Sequence, residues 1–216
     1  MSDVCDELGG NVLAGLSGGF FVREARRPLG ELWIAGERQP YTPFQAPWSD
    51  IRGTLQIDAG RIAISRRQML PARPTGDLLQ AGPVLAIDGR PLLDVAMDSE
   101  GFRAGSEQFD SDITAGRYPR AAIGYDATNV YAVVVDGRSD ADVGMTLTEL
   151  AVYMTARLGV VAALNLDGGG SATLVARGPS GAFRVVNSPM DDYMRPTPGG
   201  SRELYSAIVF ARASPH

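Results

Sequence analysis

The chain of 216 residues contains no lysine, one cysteine and one histidine, and these scarcities remove more chemistry than any motif adds. The histidine is His216, at the extreme C-terminus, so the body of the chain holds no imidazole for a Ser-His-Asp triad, a Cys-His pair or a histidine-ligated zinc site. Without lysine there is neither a Walker-type phosphate loop nor Schiff-base chemistry. Cys5 alone cannot form an internal disulfide. No apolar run approaches the roughly 18 to 20 residues that a membrane helix needs, and Met1-Ser2-Asp3 does not open a signal peptide. A soluble chain without a membrane span or a targeting address is expected. All 20 basic residues are arginines, dispersed through a chain of net charge −5, and no basic stripe suggests a nucleic-acid partner. Acid-base work must fall to carboxylates, and anion recognition to arginine, backbone N–H groups or a metal.

What is present points to one domain over residues 1–216. Ser2 to Gly10 reads as a short helix ending at Gly9-Gly10, followed by the apolar strand Asn11 to Leu16, which runs into Ser17-Gly18-Gly19-Phe20-Phe21. Glu31 to Ile34 is strand-like. Gly53 to Ile57 and Arg61 to Ser65, across Asp58-Ala59-Gly60, read as a hairpin. Pro83 to Ile87 and Arg90 to Leu93, across Asp88-Gly89, read as a second. Met97 to Tyr118 is polar and aperiodic, and is expected to be a long surface loop. Further on, Val130 to Val135 and Val160 to Leu166 are apolar strands around a helix over Thr146 to Leu158. That helix carries Leu147, Leu150, Ala151, Met154 and Leu158 on one face, opens with the capping box Thr146-x-x-Glu149 and stops at Gly159. The expected class is mixed α/β (α+β). A parallel strand-helix-strand unit with a right-handed crossover occupies the C-terminal half, and β-hairpins occupy the N-terminal half.

Both strands of that unit end in an acid followed by glycine: Asp136-Gly137-Arg138 and Asp167-Gly168-Gly169-Gly170-Ser171. Ligands gather outside the carboxyl ends of strands in α/β sheets, so Asp136 and Asp167 become candidate catalytic carboxylates. Asp-Gly is also a common turn dipeptide, and Asp88-Gly89-Arg90 repeats the tripeptide inside a hairpin. Three successive glycines cost more conformational entropy than a simple turn warrants. Their N–H groups, with the Ser171 hydroxyl, could form an anion-binding nest. A dinucleotide fingerprint does not fit, because Thr173 stands where G-x-G-x-x-G needs its third glycine, and Ser171 as a nucleophile lacks a base. Glu149 is explained by the capping box, with a catalytic role as the second reading. Asp136 and Asp167 could alternatively share a Ca²⁺ or Mg²⁺ ion.

Several blocks together resemble the phosphodiester glycosidase family: Ser17 to Phe21, Pro28-Leu29-Gly30, Gln80 to Pro83, Pro119 to Gly124, Val135 to Arg138, Gly144 to Leu150, Leu166 to Ser171, Asn187-Ser188-Pro189 and Arg202. The resemblance implies a mixed α/β fold and hydrolysis of a sugar-1-phosphodiester, with an N-acetylglucosamine-type sugar. It implies Asp167, Asp136 and Glu149 as catalytic candidates. It also implies Arg120, Arg138, Arg202, Gly18, Gly19, Phe20, Gly168, Gly169, Gly170 and Ser171 as substrate-binding ones, with a small-molecule or glycan phosphodiester as partner. Phosphate is a good leaving group, so carboxylates and arginines suffice for breaking its bond to the anomeric carbon. The chain departs from the family pattern at Ser17, where asparagine is usual, and many members carry further upstream strands and a secretion signal. A metal-assisted phosphodiesterase cutting P–O, and a glycan-binding module without turnover, are the alternatives.

Overall fold

The computed structural model describes residues 1–92, 98–103, 113–198 and 202–213. In the first half, helix α1 (Ser2–Glu7) leads into β1 (Val12–Ser17), β2 (Phe21–Val22), β3 (Arg27–Pro28), β4 (Leu32–Ile34) and β5 (Glu37–Arg38). After α2 (Trp48–Ile51) come β6 (Gly53–Asp58), β7 (Arg61–Arg66), β8 (Asp77–Gln80), β9 (Val84–Ile87) and β10 (Arg90–Pro91). The second half holds β11 (Arg120–Tyr125), β12 (Val130–Val135), helix α3 (Leu147–Leu158) and β13 (Ala162–Asn165). It closes with β14 (Leu174–Arg177), β15 (Phe183–Val185), β16 (Met190–Asp192), β17 (Arg195–Pro196) and β18 (Ala207–Ala211).

Local chemistry explains the elements that the sequence announced. Ala59 (φ 46°) with Gly60 (φ 75°) and Asp88 (φ 51°) with Gly89 (φ 72°) both take the left-handed pair of a two-residue hairpin turn, closing β6–β7 and β9–β10. Thr146 Oγ1 accepts from the Glu149 N–H at 3.1 Å while Glu149 Oε2 accepts from the Thr146 N–H at 3.0 Å, so the capping box starts α3, and left-handed Gly159 ends it. Leu147, Leu150, Ala151 and Met154 are buried along one stripe of the helix.

Three sheets, ordered β15-β14-β1-β18, β10-β9-β13-β11-β12 and β5-β4-β8-β6-β7, share one core. Leu16, Leu55, Leu79, Ile123, Leu164 and Ile208 meet in it. The central sheet is covered on its other face by α3, where Leu85, Ala122 and Ala163 meet Leu150 and Met154. Successive residues of β11 and β13 thus face opposite layers, as the two-residue period of a strand requires. The β16–β17 and β2–β3 hairpins stand outside these sheets.

Two expectations are corrected. The parallel strand-helix-strand unit does not form, and the chain is richer in strand than the expected class. The strands Val130–Val135 and Ala162–Asn165 do point the same way, because each runs antiparallel to β11, but β11 lies between them and accepts both ladders. The run Arg120–Tyr125 is buried over its first five residues, and only a four-residue loop separates it from β12. It therefore takes the central slot as a hairpin partner before any crossover can pair β12 with β13. The segment read as a surface loop is also different where it is described. Phe102 is fully buried in an aromatic cluster, and the Glu100 carboxylate accepts from the Gly53 and Val84 N–H groups at 2.9 Å each. Residue 97 and residues 104–112 of that loop lie outside the described residues.

Candidate active site

Because β12 and β13 point the same way, Asp136 and Asp167 emerge at one edge of the central sheet, as the sequence placed them. With β11 between, their backbones are two strand spacings apart, about 10 Å. Only Asp167 lines the cleft of about 600 Å³ that opens at this edge. The carboxylate of Asp136 faces another way. It accepts from Asn187 Nδ2 at 3.0 Å and from the Ser188 N–H at 2.9 and 3.1 Å, and so anchors the segment that leads into β16. The described residues gather no cluster of three or more histidine, cysteine, aspartate or glutamate side chains suited to a metal ion.

Asp167 lies two residues past the end of β13, and its N–H donates to the Gly18 carbonyl at 3.1 Å, tying the first glycine block to the site. It keeps some surface open to the cleft yet has protein on every other side, and burial raises its carboxyl to about 6. The Ser171 hydroxyl, the charge of Arg202, the Gly168 N–H and the charge of Arg23 oppose that rise without cancelling it. Near pH 6 this acid changes between its two protonation states, a property suited to a general base or acid.

The glycine run acts by closeness. A side chain at Gly168 would place its Cβ 2.7 Å from the Pro119 carbonyl oxygen, and one at Gly170 would come within 2.2 Å of Asp191 Oδ1 and 2.6 Å of Arg202 Nη2. Gly169 has a left-handed φ of 59° and lies beside the Arg138 guanidinium. The Gly169 N–H donates to Pro119 at 2.9 Å, so this donor of the expected nest is engaged within the protein. What the run provides is room for two guanidinium groups to lie against backbone.

Those two are Arg138 and Arg202. Arg138 holds φ 62°, unusual for a residue with a side chain, and its Nη1 donates to the carbonyls of Met190 and Asp191. Nε and Nη2 of Arg138 have no hydrogen-bond partner among the described residues. Arg202 donates from Nε (3.1 Å) and Nη2 (2.5 Å) to Asp191 Oδ1. Arg120 lines the same cleft but is almost wholly buried. Its guanidinium donates to the carbonyls of Met145, Ile113 and Gly116 at 3.0, 2.9 and 3.2 Å, and burial pushes its pKa down to about 10. Its structural task is to tie the chain before β11 to the turn before α3.

The remaining sequence candidates divide. Phe20 lines the cleft. Gly18 and Gly19 lie behind it, their N–H groups donating to the carbonyl and hydroxyl of Ser206. Ser171 is buried beneath Asp167. Glu149 stays at the N-terminus of α3, capping it and pairing with Arg117, away from the cleft lining. Ser17, where the family pattern has asparagine, is fully buried in β1, close to the Thr173 N–H at 3.4 Å.

Sequence reasoning missed Tyr118, Asp191, Arg23 and Glu24, all of which line the cleft. Tyr118 presents its ring to Arg120 (5.2 Å) and Arg138 (5.9 Å), and its position one residue before Pro119-Arg120 was the available signal. Asp191 carried none, since its role depends on contacts 11 and 53 residues away in sequence.

Comparison with known proteins agrees with this architecture. No curated protein matches the chain in sequence. Among solved structures, the catalytic domain of zebrafish N-acetylglucosamine-1-phosphodiester alpha-N-acetylglucosaminidase, auto-inhibited by its pro-peptide, is similar with a TM-score of 0.68 at 18% identity, over 99% of this chain and 66% of that one. A putative exported protein from Burkholderia pseudomallei K96243 gives 0.62 at 18% identity, over 97% of this chain and 67% of that one. A hypothetical protein from Synechocystis gives 0.58 at 18% identity, over 98% and 53%. The chain therefore spans between about half and two thirds of the length of these structures. The sequence profile of the phosphodiester glycosidase family matches residues 10–210, and the chain belongs to that family.

Proposed function

We propose that this protein hydrolyses a sugar-1-phosphodiester at the bond between the anomeric carbon and the phosphate oxygen, with an N-acetylglucosamine-type sugar as the substrate class. The observation that carries the reading is the placing of one carboxyl group, raised to about 6, in a cleft beside two arginines that have donors without a partner among the described residues. The family membership and the likeness to a phosphodiester-cleaving glycosidase support the same reading.

In this reaction the ionised Asp167 takes a proton from water as that water attacks the anomeric carbon, and it stabilises the positive charge developing on the sugar. The departing phosphate keeps the electron pair of the broken C–O bond and leaves as a phosphate monoester, while the sugar gains the hydroxyl. Arg138 and Arg202 bind the non-bridging phosphate oxygens through charge-assisted hydrogen bonds, which strengthen as negative charge collects on the leaving group. Phe20 and Tyr118 supply apolar walls of the kind that sugar rings pack against. Asp136 and Glu149 have structural partners and take no part in the step.

Incubation with an aryl phosphodiester of N-acetylglucosamine-1-phosphate, with and without chelator, tests the proposal. Free sugar with an aryl phosphate monoester is the expected product pair, and hydrolysis in ¹⁸O-water should leave the label on the sugar. Sugar-1-phosphate with free phenol, and the label on phosphate, would establish P–O cleavage and overturn it. Binding without any product would leave a glycan-binding module.

A further inference from the structure

Asp191, at the centre of the β16–β17 hairpin's first strand, contacts both of the arginines that lie against the glycine run. Its Oδ1 accepts two hydrogen bonds from Arg202, with Thr197 Oγ1 a further 3.4 Å away. Its backbone carbonyl accepts from Nη1 of Arg138. The same Oδ1 is the atom that Gly170 must lack a side chain to admit. One residue thus orients both guanidinium groups, which lie against the successive backbone positions Gly169 and Gly170. The edges left without partners among the described residues are Nε and Nη2 of Arg138 and Nη1 of Arg202.

The charge arithmetic of this cleft is specific. The arginines that line the cleft, Arg23, Arg120, Arg138 and Arg202, against the carboxylates of Glu24, Asp167 and Asp191 leave a single positive charge, which matches a phosphodiester, an anion of one charge. A phosphate monoester approaches two negative charges above pH 7, and its second charge would face the Asp191 carboxylate. The proposed reaction turns the first kind of anion into the second, so the same residue would favour substrate entry and product departure. We propose that Asp191 is the positioning and specificity residue of this site, holding Arg138 and Arg202 as a pair and selecting a singly charged phosphodiester over a doubly charged phosphate monoester. This inference rests on the phosphodiester reading of the cleft.

Calorimetric titration with diethyl phosphate and with phenyl phosphate, at about pH 8, tests it without turnover. The wild-type protein should bind the monoester no more tightly than the diester. In Asp191→Asn the like-charge repulsion is gone, and phenyl phosphate should bind about ten-fold tighter while diethyl phosphate changes much less. Asp191→Glu keeps the charge and should keep the discrimination. Equal weakening of both anions in Asp191→Asn, with a lower Tm, would show a merely structural residue and overturn the inference. So would a wild-type preference for the monoester or no binding of either anion, readings that need no variant to fold. Discrimination without hydrolysis of any sugar phosphodiester would leave Asp191's role standing and sink the proposed reaction. Hydrolysis with unchanged discrimination in Asp191→Asn would do the reverse.

Discussion

The two aspartate-glycine strand ends, Asp136-Gly137 and Asp167-Gly168, are near copies in sequence and stand at one edge of one sheet, yet they serve different ends. Asp136 is followed by Gly137 and then by Arg138 in the left-handed region, and its carboxylate accepts from Asn187 and Ser188. Asp167 is followed by a glycine run that cannot fill the space around it, and its carboxylate faces the cleft. The acid that anchors a segment and the acid that lines the cleft are distinguished by what comes after them: a backbone that closes on the acid, or one that leaves it room. Burial decides the rest, because the protein around Asp167 raises its carboxyl, whereas the N–H donors on Asp136 make it an anchor.

Substitutions should pull this pair apart. The largest effect belongs to Asp167→Asn, expected to lower kcat on the aryl sugar phosphodiester by about 10³-fold with the fold intact by circular dichroism. Asp136→Ala removes the acceptor of the Ser188 and Asn187 donors and should lower unfolding free energy by about 2 kcal/mol in urea titrations, with kcat changed by less than about ten-fold. If the two outcomes were exchanged, the roles assigned to the acids would be exchanged with them.

A third prediction uses pH. Asp167 is raised in the folded protein above its unfolded value of about 3.9, so its stabilising contribution is complete below about pH 4 and is lost as pH rises through about 6. Asp167→Asn escapes this cost. Above pH 6 it should be more stable than wild type by about 2 kcal/mol, the advantage vanishing near pH 4, as thermal melts across that range would register. The kcat of the wild type should fall on the acid side of the same midpoint near 6, since the ionised form takes the proton from water. A rate that rises instead on acidification would make Asp167 a general acid. The smallest effect is that of Glu149→Ala, which removes half of a capping box and an exposed ion pair with Arg117, costing about 1 kcal/mol with no change in KM.

How much was legible follows the range of the forces involved. The start and end of α3, its buried stripe and the two left-handed hairpin turns depend on neighbours within four residues, and each was visible as spacing. The parallel unit failed because strand pairing is a competition between segments. The competitor, Arg120–Tyr125, looked only like an apolar stretch beside an arginine. Arg120 itself was singled out only by the family resemblance, as a substrate-binding candidate; three carbonyls from Ile113, Gly116 and Met145 claim its donors, and no local pattern encodes their convergence. Asp191 escaped notice for the same reason. The buried Glu100 and Phe102 lay in a stretch without period, where polarity read as exposure although two backbone N–H groups partner the buried carboxylate.

The sequence alone therefore determined the chemical vocabulary of this protein: arginine without lysine, carboxylates with no imidazole before the terminal His216, and a glycine run after an acid that ends an apolar strand. These are properties of residue type and near spacing, and no fold can alter them. Tertiary structure decided which of two similar acids faces a cleft, which arginines lie beside it and which residue orients them. Those outcomes depend on burial and on hydrogen bonds between groups far apart in the chain, and such contacts exist only once the sheets have closed on one another.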